Sequence, residues 1–504
     1  MKYSFEDNKL IESDVEKDKI ALVGSDFSWS WGDFEMEVNK LLLLLNELNL
    51  PKSNPVIIYG HKQAHIIAAK TALMLYGAVY VPADVIFPFE RIQMMKEECK
   101  AQVLINCTTD VAINELFDCV IQAPSITCIK QQGKIDFELK NPLEPENKIN
   151  YILFTSGTTG RPKGVPIARK GIIEFSQWIS NDFSIDSTDV LLNVSSLSFD
   201  FASFDEFLFL RLGATLVSVT SDELKDQTGL IDKILAHNVS VWISTPSLVY
   251  LYLRDPRFTE EHLPNLHSFV FAGEALPVKT YQELAKRFPS AAIWNAYGPS
   301  EATNLTTSVR LNDSIIEKYN AMPIGYPKPN SKIILLNEDE EGVGEICIQG
   351  EHLSPGYLNN EELNQAKFIT YENERIYLTG DQGYYKDGLI FYAGRNDEMV
   401  KFHGYRIELE DISSTLKTFE SIENASTIGL KSKGETKKIV AFYSAQNELD
   451  SAELVSFLRK KLPEYMIPSD FRKIHEIPLN TSGKTDKKKL EAIYLNKAFK
   501  NFHT

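Results

Sequence analysis

A chain of 504 residues is longer than one hydrophobic core usually serves, so two or more domains are expected. Hydrophobic residues at 43% and charged residues at 24% are ordinary globular values, and no apolar tract approaches the roughly 18 residues of a membrane span. The net charge of -16 disfavours a nucleic-acid or anionic-membrane binder, both of which need a basic surface.

The acidic N-terminus, MKYSFEDNKLIESDVEK, has no apolar signal region, and five cysteines at 99, 107, 119, 128 and 347 show no CxxC spacing. A reducing, cytoplasmic setting without direct membrane insertion is therefore expected, with neither a disulfide framework nor a zinc site. Charge is uneven along the chain. From Asp397 onward eighteen Lys/Arg stand against sixteen Asp/Glu, so the C-terminal part is the segment suited to an acidic partner, although scattered solvated lysines give the same count.

Up to about residue 390, short β-branched runs alternate with helical patterns. Examples are NPVIIYG (54–60), AVYVPAD (78–84), AQVLINC (101–107), VSVWIST (239–245) and HSFVFAG (267–273). An amphipathic helix from Leu276 to Phe288 precedes a strand from Ala291 to Asn295. Such alternation predicts parallel sheets covered by helices, hence an α/β fold with doubly wound sheets. From Pro323 to Ala393 the pattern is strand-dense with Gly and Asp-Gly turns, as in KDGLIFYAGR, and predicts a barrel-like or antiparallel subdomain. Beyond Arg395 the composition is lysine-rich and the order helix, strands, helix, strand predicts a small α+β domain.

The apolar strand YILF runs into TSGTTGRPKGV (155–165). Hydroxyls at Thr155, Ser156, Thr158 and Thr159, glycines at 157 and 160, and Lys163 suit a phosphate cradle; taken alone, such a turn also reads as a surface loop. Lys163 follows Pro162 and precedes Gly164, so the loop is not a Walker A motif. YGPSE (297–301) presents a ring for purine stacking and, in Glu301, a carboxylate for Mg2+. YLTGDQG (377–383) places Asp381 where it can accept from two ribose hydroxyls, and YAGR (392–395) offers a matching cation; each is also ordinary turn chemistry. Asp200, in SLSFDFASFDEF, reads by itself as a helix N-cap. The charged turn at Asn396-Asp397 sits where composition changes and is a candidate hinge.

In their order and spacing, TSGTTGRPKG, AGEAL, NAYGPSE, GEICIQGEHLSPGYL, YLTGDQG, GRNDEMVKFHGYRIELEDI and NTSGKTDKKKL resemble the motif series of the adenylate-forming superfamily, which includes acyl-CoA synthetases, luciferases and nonribosomal peptide synthetase adenylation domains. The resemblance spans essentially the whole chain. Through VIIYGHKQAHII, VYVPADVIFPFERI, VWISTPS and FPSAAIWNAYGPSEAT it is nearest to the D-alanine:D-alanyl carrier protein ligases.

That resemblance implies an adenylation core at 1–396 and a mobile lid at 397–504, with ATP and Mg2+ required. It implies that Thr155 and Ser156 contact ATP phosphates, and that Asn295, Ala296, Tyr297, Gly298, Pro299 and Ser300 line the adenine and ribose pocket. Asp381, with Tyr392, Ala393, Gly394 and Arg395, would hold the ribose, Glu301 the Mg2+, and Lys484 both ATP and the substrate carboxylate. Asp200 matches the aspartate that pairs with a substrate α-ammonium, Asp397 the hinge, and the strand at Gly404 to Arg406 the thiol tunnel. The implied acceptor is the phosphopantetheine thiol of an acidic carrier protein, and the implied pathway teichoic-acid D-alanylation by a cytoplasmic, monomeric enzyme.

Three departures bear on substrate. Ala272 stands where those ligases carry Cys, FDFAS replaces FDLS, and Asn304 replaces an aliphatic residue. Phe201 and Phe204 are expected to keep the pocket small and Asn304 to add a polar contact, which leaves serine, glycine and L-alanine open beside D-alanine. An acyl-CoA synthetase using free CoA, or a catalytically silent nucleotide-binding protein, are the competing readings.

Overall fold

The computed structural model describes residues 2–11, 15–52, 54–131, 149–155, 161–319, 321–395, 399–402, 405–432, 435–478 and 485–500. The chain divides into two compact units. One comprises Met1–Val85, Lys96–Leu153 and Gly164–Gly394, and the other Ile86–Met95, Phe154–Lys163 and Arg395–Thr504.

Two sheets organise the larger unit. In the first, Tyr80–Asp84, Val56–Gly60, Val103–Asn106 and Cys119–Gln122 lie side by side in parallel, with Ile149–Thr155 parallel to Tyr80–Asp84. VIIYG and YVPAD are buried at every position, as expected for parallel strands covered on both faces. In the second sheet, Ala292–Tyr297, Ser268–Phe271, Val241–Ser244, Val190–Asn193, Thr215–Ser218 and Ile20–Val23 form a parallel block. The strand-dense block beyond it is antiparallel and continues the same sheet through Thr307–Arg310 and Pro323–Pro327. Its predicted hairpin joins Glu374–Lys386 to Leu389–Arg395, with Asp387 and Gly388 both at positive φ in the turn.

The helices Trp31–Glu47, Ala64–Tyr76, Arg169–Asp182 and Ala202–Leu212 share one core with strands of both sheets. Ser30 starts the first of these with a capping box through Asp33, and Gly77, left-handed at φ 84, ends the second. Helices Gln227–Ala236, Pro246–Tyr252 and Val278–Arg287 cover the opposite face of the second sheet.

Helix Ala64–Tyr76 is apolar nearly all round, so the lysine at position 70 has no route to water. It is satisfied instead by both carboxylate oxygens of Glu206, at 2.9 and 3.0 Å. Lys62, equally buried, donates to Asn193 and, at 2.6 Å, to the carbonyl of Ser195; Asn193 in turn donates to Asp205 at 2.7 Å. Burial pushes the Lys62 ammonium down and the Asp205 carboxyl up from their ordinary values.

A third buried group lies under the antiparallel block. Lys328 donates to the carbonyl of Leu305 at 3.1 Å and lies over the rings of Phe175 and Trp178, and burial pushes it down to about 7. His352 is fully buried, 3.9 Å from Glu174, and burial followed by the Lys328 charge pushes it down to about 2.

The smaller unit carries an antiparallel pair, Asn424–Ser432 and Glu435–Ser444, with Asp470–Lys473 parallel to the latter. Helices Leu409–Lys417 and Ser451–Arg459 share one core with this sheet, while Leu490 of helix Lys487–Lys500 lies in a second. This is the expected α+β arrangement. No helix among the described residues is long and apolar enough to cross a membrane, and all five cysteines are free thiols.

His352 gives the fold an acid limit. It stays neutral when folded but protonates below about 6.5 when unfolded, so the unfolded chain binds more protons and stability falls as pH drops from 6.5 towards 2. Urea denaturation of His352→Gln beside the parent, at pH about 7.5 and about 5, is expected to show the parent losing roughly 1.4 kcal/mol more per pH unit below its ordinary value.

Candidate functional site

The C-terminal ends of parallel strands are where α/β sheets place ligands, because the chain leaves the sheet there in loops flanked by helix starts. Ala292–Tyr297 ends in such a loop, YGPSEATN, and its neighbour Ser268–Phe271 ends at Ala272, which is buried, and Gly273 at φ 87. Gly298 cannot be replaced without moving backbone. A Cβ there would stand 2.1 Å from the carbonyl oxygen of Asn304 and 2.6 Å from the Cα of Leu305. The loop is thus folded back on itself, which brings positions 300 and 304 to the same neighbour.

That neighbour is Asp200. Ser300 donates to its carboxylate at 2.6 Å, and the Asn304 amide donates to its backbone carbonyl at 2.7 Å. Asp200 is not the cap of the following helix, Ala202–Leu212; Phe201 occupies that position and offers no side-chain cap. The carboxylate lies half-buried beside the loop. Phe204 is fully buried, with its ring centroid 6.3 Å from that of Phe201 and 5.2 Å from that of Phe183.

Asn304 departs from expectation. Its two amide hydrogens are spent inside the protein, on the Asp200 carbonyl and on Ser203 Oγ at 3.0 Å, rather than offered to a substrate. The cause is the backbone: Thr303 and Asn304 are both left-handed, at φ 53 and 71, which turns the amide back on the 200–203 turn. Asn tolerates that region better than most residues.

Beside this pair, Tyr297 donates to Asp381 at 2.7 Å, bringing two predicted residues together, and Asp381 is buried. Asn295 spends its amide on the carbonyl of Pro323 at 2.7 Å, so it braces the strand end. Glu301 is fully buried and accepts from the Tyr357 hydroxyl at 2.8 Å, while its backbone carbonyl accepts from Ser354 N–H at 2.7 Å. Among the described residues no group of three or more His, Cys, Asp or Glu side chains is arranged to hold a metal. A single carboxylate suits Mg2+, which takes one or two protein carboxylates and completes its shell with phosphate oxygens and water.

Tyr392, Ala393 and Gly394 lie on strand Leu389–Arg395, next to the strand that Asn295 braces. Thr155 and Arg395 belong to the smaller unit. The Thr155 hydroxyl is buried and takes no hydrogen bond among the described residues. Lys163, also in that unit, stands 3.3 Å from a carboxylate oxygen of Glu408. Ser156, Asp397, Gly404 and Lys484 lie outside the described residues.

Sequence reasoning assigned no role to the support behind Asp200. His61 Nδ1 lies 3.0 Å from both carboxylate oxygens of Asp84, and Ser196 Oγ donates to the same carboxylate. Ser198 Oγ accepts from Asp84 N–H at 2.8 Å. With Lys62 on the carbonyl of Ser195, these contacts fix the segment leading into Asp200. GHK and PAD marked the places, but nothing local says that they meet residues more than a hundred positions away.

The AMP-binding enzyme family matches residues 12–358, and the C-terminal domain of AMP-binding enzymes matches 411–484. A D-alanine–D-alanyl carrier protein ligase of Bacillus licheniformis is 34% identical over 500 residues, covering 96% of this chain and 99% of its own. One from Listeria welshimeri is 37% identical over 464 residues, 89% of this chain and 90% of its own. In fold, the chain resembles a Vibrio cholerae adenylation domain solved with glycyl-adenosine-5'-phosphate, at a TM-score of 0.81 and 23% identity over 95% of both chains.

Tyr357→Phe removes one donor from a fully buried carboxylate. It is expected to cost about 1–3 kcal/mol in chemical denaturation, with the loss restored in a Tyr357→Phe, Glu301→Gln double variant.

Proposed function

Because the chain belongs to the AMP-binding enzyme family, in the branch of the D-alanine–D-alanyl carrier protein ligases, we propose that it adenylates D-alanine and passes it to the phosphopantetheine thiol of an acidic carrier protein. It is an AMP-forming ligase that uses ATP. The observation that supports an amino acid is Asp200, a carboxylate oriented by Ser300 and Asn304 and lying beside two phenylalanines rather than in a helix cap. A carboxylate in a partly desolvated pocket favours a cationic partner, here the substrate ammonium.

In the first half-reaction a carboxylate oxygen of D-alanine attacks the α-phosphorus of ATP, the bond to the bridging oxygen breaks, and pyrophosphate leaves. Two anions must approach, so cations and oriented donors have to offset their repulsion. In this reading Lys484 bridges the substrate carboxylate and ATP, Thr155 and Ser156 hold phosphate oxygens, and Arg395 and Asp381 hold the ribose. Asn295 to Ser300 shape the adenine pocket, with Tyr297 placing Asp381. Glu301 would hold a Mg2+ ion, which would supply charge neutralisation at the phosphates. In the second half-reaction the carrier thiol attacks the acyl carbon and AMP leaves, with 397–504 turning about Asp397 as a lid between steps.

A narrower alternative is another small amino acid, motivated by Ala272 and by the inward-turned Asn304. ATP–pyrophosphate exchange across small D- and L-amino acids is expected to be highest with D-alanine; a higher kcat/KM for glycine, L-alanine or serine would overturn that identity. Lys484→Ala is expected to cut exchange by roughly a hundredfold or more while ATP still binds, by the scale of a lost transition-state contact. Calorimetry with ATP separates the two effects. Exchange retained at the parent rate would remove Lys484 from the role.

A further inference from the structure

Asp200 is gripped at two places by two different parts of the loop 297–305. Its carboxylate accepts from Ser300 at 2.6 Å. Its backbone carbonyl accepts from three donors: Ser203 N–H at 2.8 Å, Ser203 Oγ at 2.6 Å and Asn304 Nδ2 at 2.7 Å. Two of these donors also meet each other, since Asn304 Nδ2 lies 3.0 Å from Ser203 Oγ. Asn304 is 2% exposed, so its amide has almost no water to compete for it.

We propose that Asn304 is a positioning residue for substrate recognition: its amide clips the peptide plane of Asp200 and so aims that carboxylate at the substrate ammonium. The inference rests on the reading of Asp200 given under Proposed function. The clip acts on the backbone carbonyl of the same residue whose side chain it steers, so it fixes the direction of the Cα–Cβ bond while leaving the carboxylate its own charge. The neighbouring residue is anchored too: Thr303 Oγ1 donates to the carbonyl of His352 at 2.6 Å, on the antiparallel block. The clip is therefore pinned at its far end to the turn that follows strand Gly344–Gly350. Because positions 303 and 304 are left-handed, a change at 304 must respect the backbone as well as the amide. An aliphatic replacement would mix strain with loss of the clip, whereas glycine accepts that φ and removes only the amide.

The test uses the full chain and two non-hydrolysable probes that differ in one group, D-alanyl-sulfamoyl-adenosine and propanoyl-sulfamoyl-adenosine, which lacks the ammonium. Calorimetry on Asn304→Gly is expected to show roughly tenfold weaker binding of the first, on the scale of one buried hydrogen bond, with the second within about twofold of the parent. In an Asp200→Asn background the same substitution is expected to add nothing further. Equal weakening of both probes would mean that Asn304 only holds the loop together, and would overturn the inference. If Asp200→Asn weakens the aminoacyl probe but Asn304→Gly does not, the inference falls and the reading of Asp200 stands. If Asp200→Asn has no effect on either probe, that reading falls and takes the inference with it. A Ser203→Ala variant, which leaves the left-handed backbone untouched, is expected to give a smaller loss confined to the aminoacyl probe.

Discussion

Everything at the site depends on buried charge being matched behind it. Lys62 and Lys70 come from a loop and a helix enclosed between two sheets, where an unpaired ammonium would cost several kcal/mol. Their partners, Asn193, Ser195 and Glu206, flank the 193–206 segment on both sides of Asp200. The requirement to satisfy those ammonium groups thus selects one conformation for the segment that carries Asp200. Breaking either pair leaves a buried charge, and the consequence would be felt at Asp200 as well as in stability.

The loop 297–305 meets this segment from the neighbouring strands. It contributes Tyr297 to Asp381, Ser300 and Asn304 to Asp200, and Glu301 to a hydroxyl pair formed by Tyr357 and Tyr377. Groups read as handling ribose, metal and ammonium are therefore set by nine consecutive residues. A small shift of this loop would be sensed by all three functions together.

Much of this was legible in the sequence. Alternating β-branched runs marked the strands at 56–60, 80–84, 103–106, 241–244 and 268–271 to within two or three residues, because a buried parallel strand must be apolar throughout. The Asp387-Gly388 hairpin followed from turn chemistry, and the motif order led to Asp200, Glu301 and Asp381. What escaped were pairings across distance. Lys70 and Glu206 are 136 positions apart, and their only local sign is charge set inside mostly apolar helices, AHIIAAKTALMLY and ASFDEFLFLRL. The direction of the Asn304 amide was hidden for another reason: residue type says that it can donate, but the sign of φ decides to whom.

The tight packing around Gly298 has a consequence for altering specificity. With a Cβ excluded there and two left-handed residues following, the sequence space open to the loop is narrow, and most substitutions in it would change shape before they changed chemistry. Ala272 and Phe201 carry no such backbone demand. Under the proposed reading of this site, changing the preferred amino acid has an easier path through Ala272 and Phe201 than through the loop at 297–305.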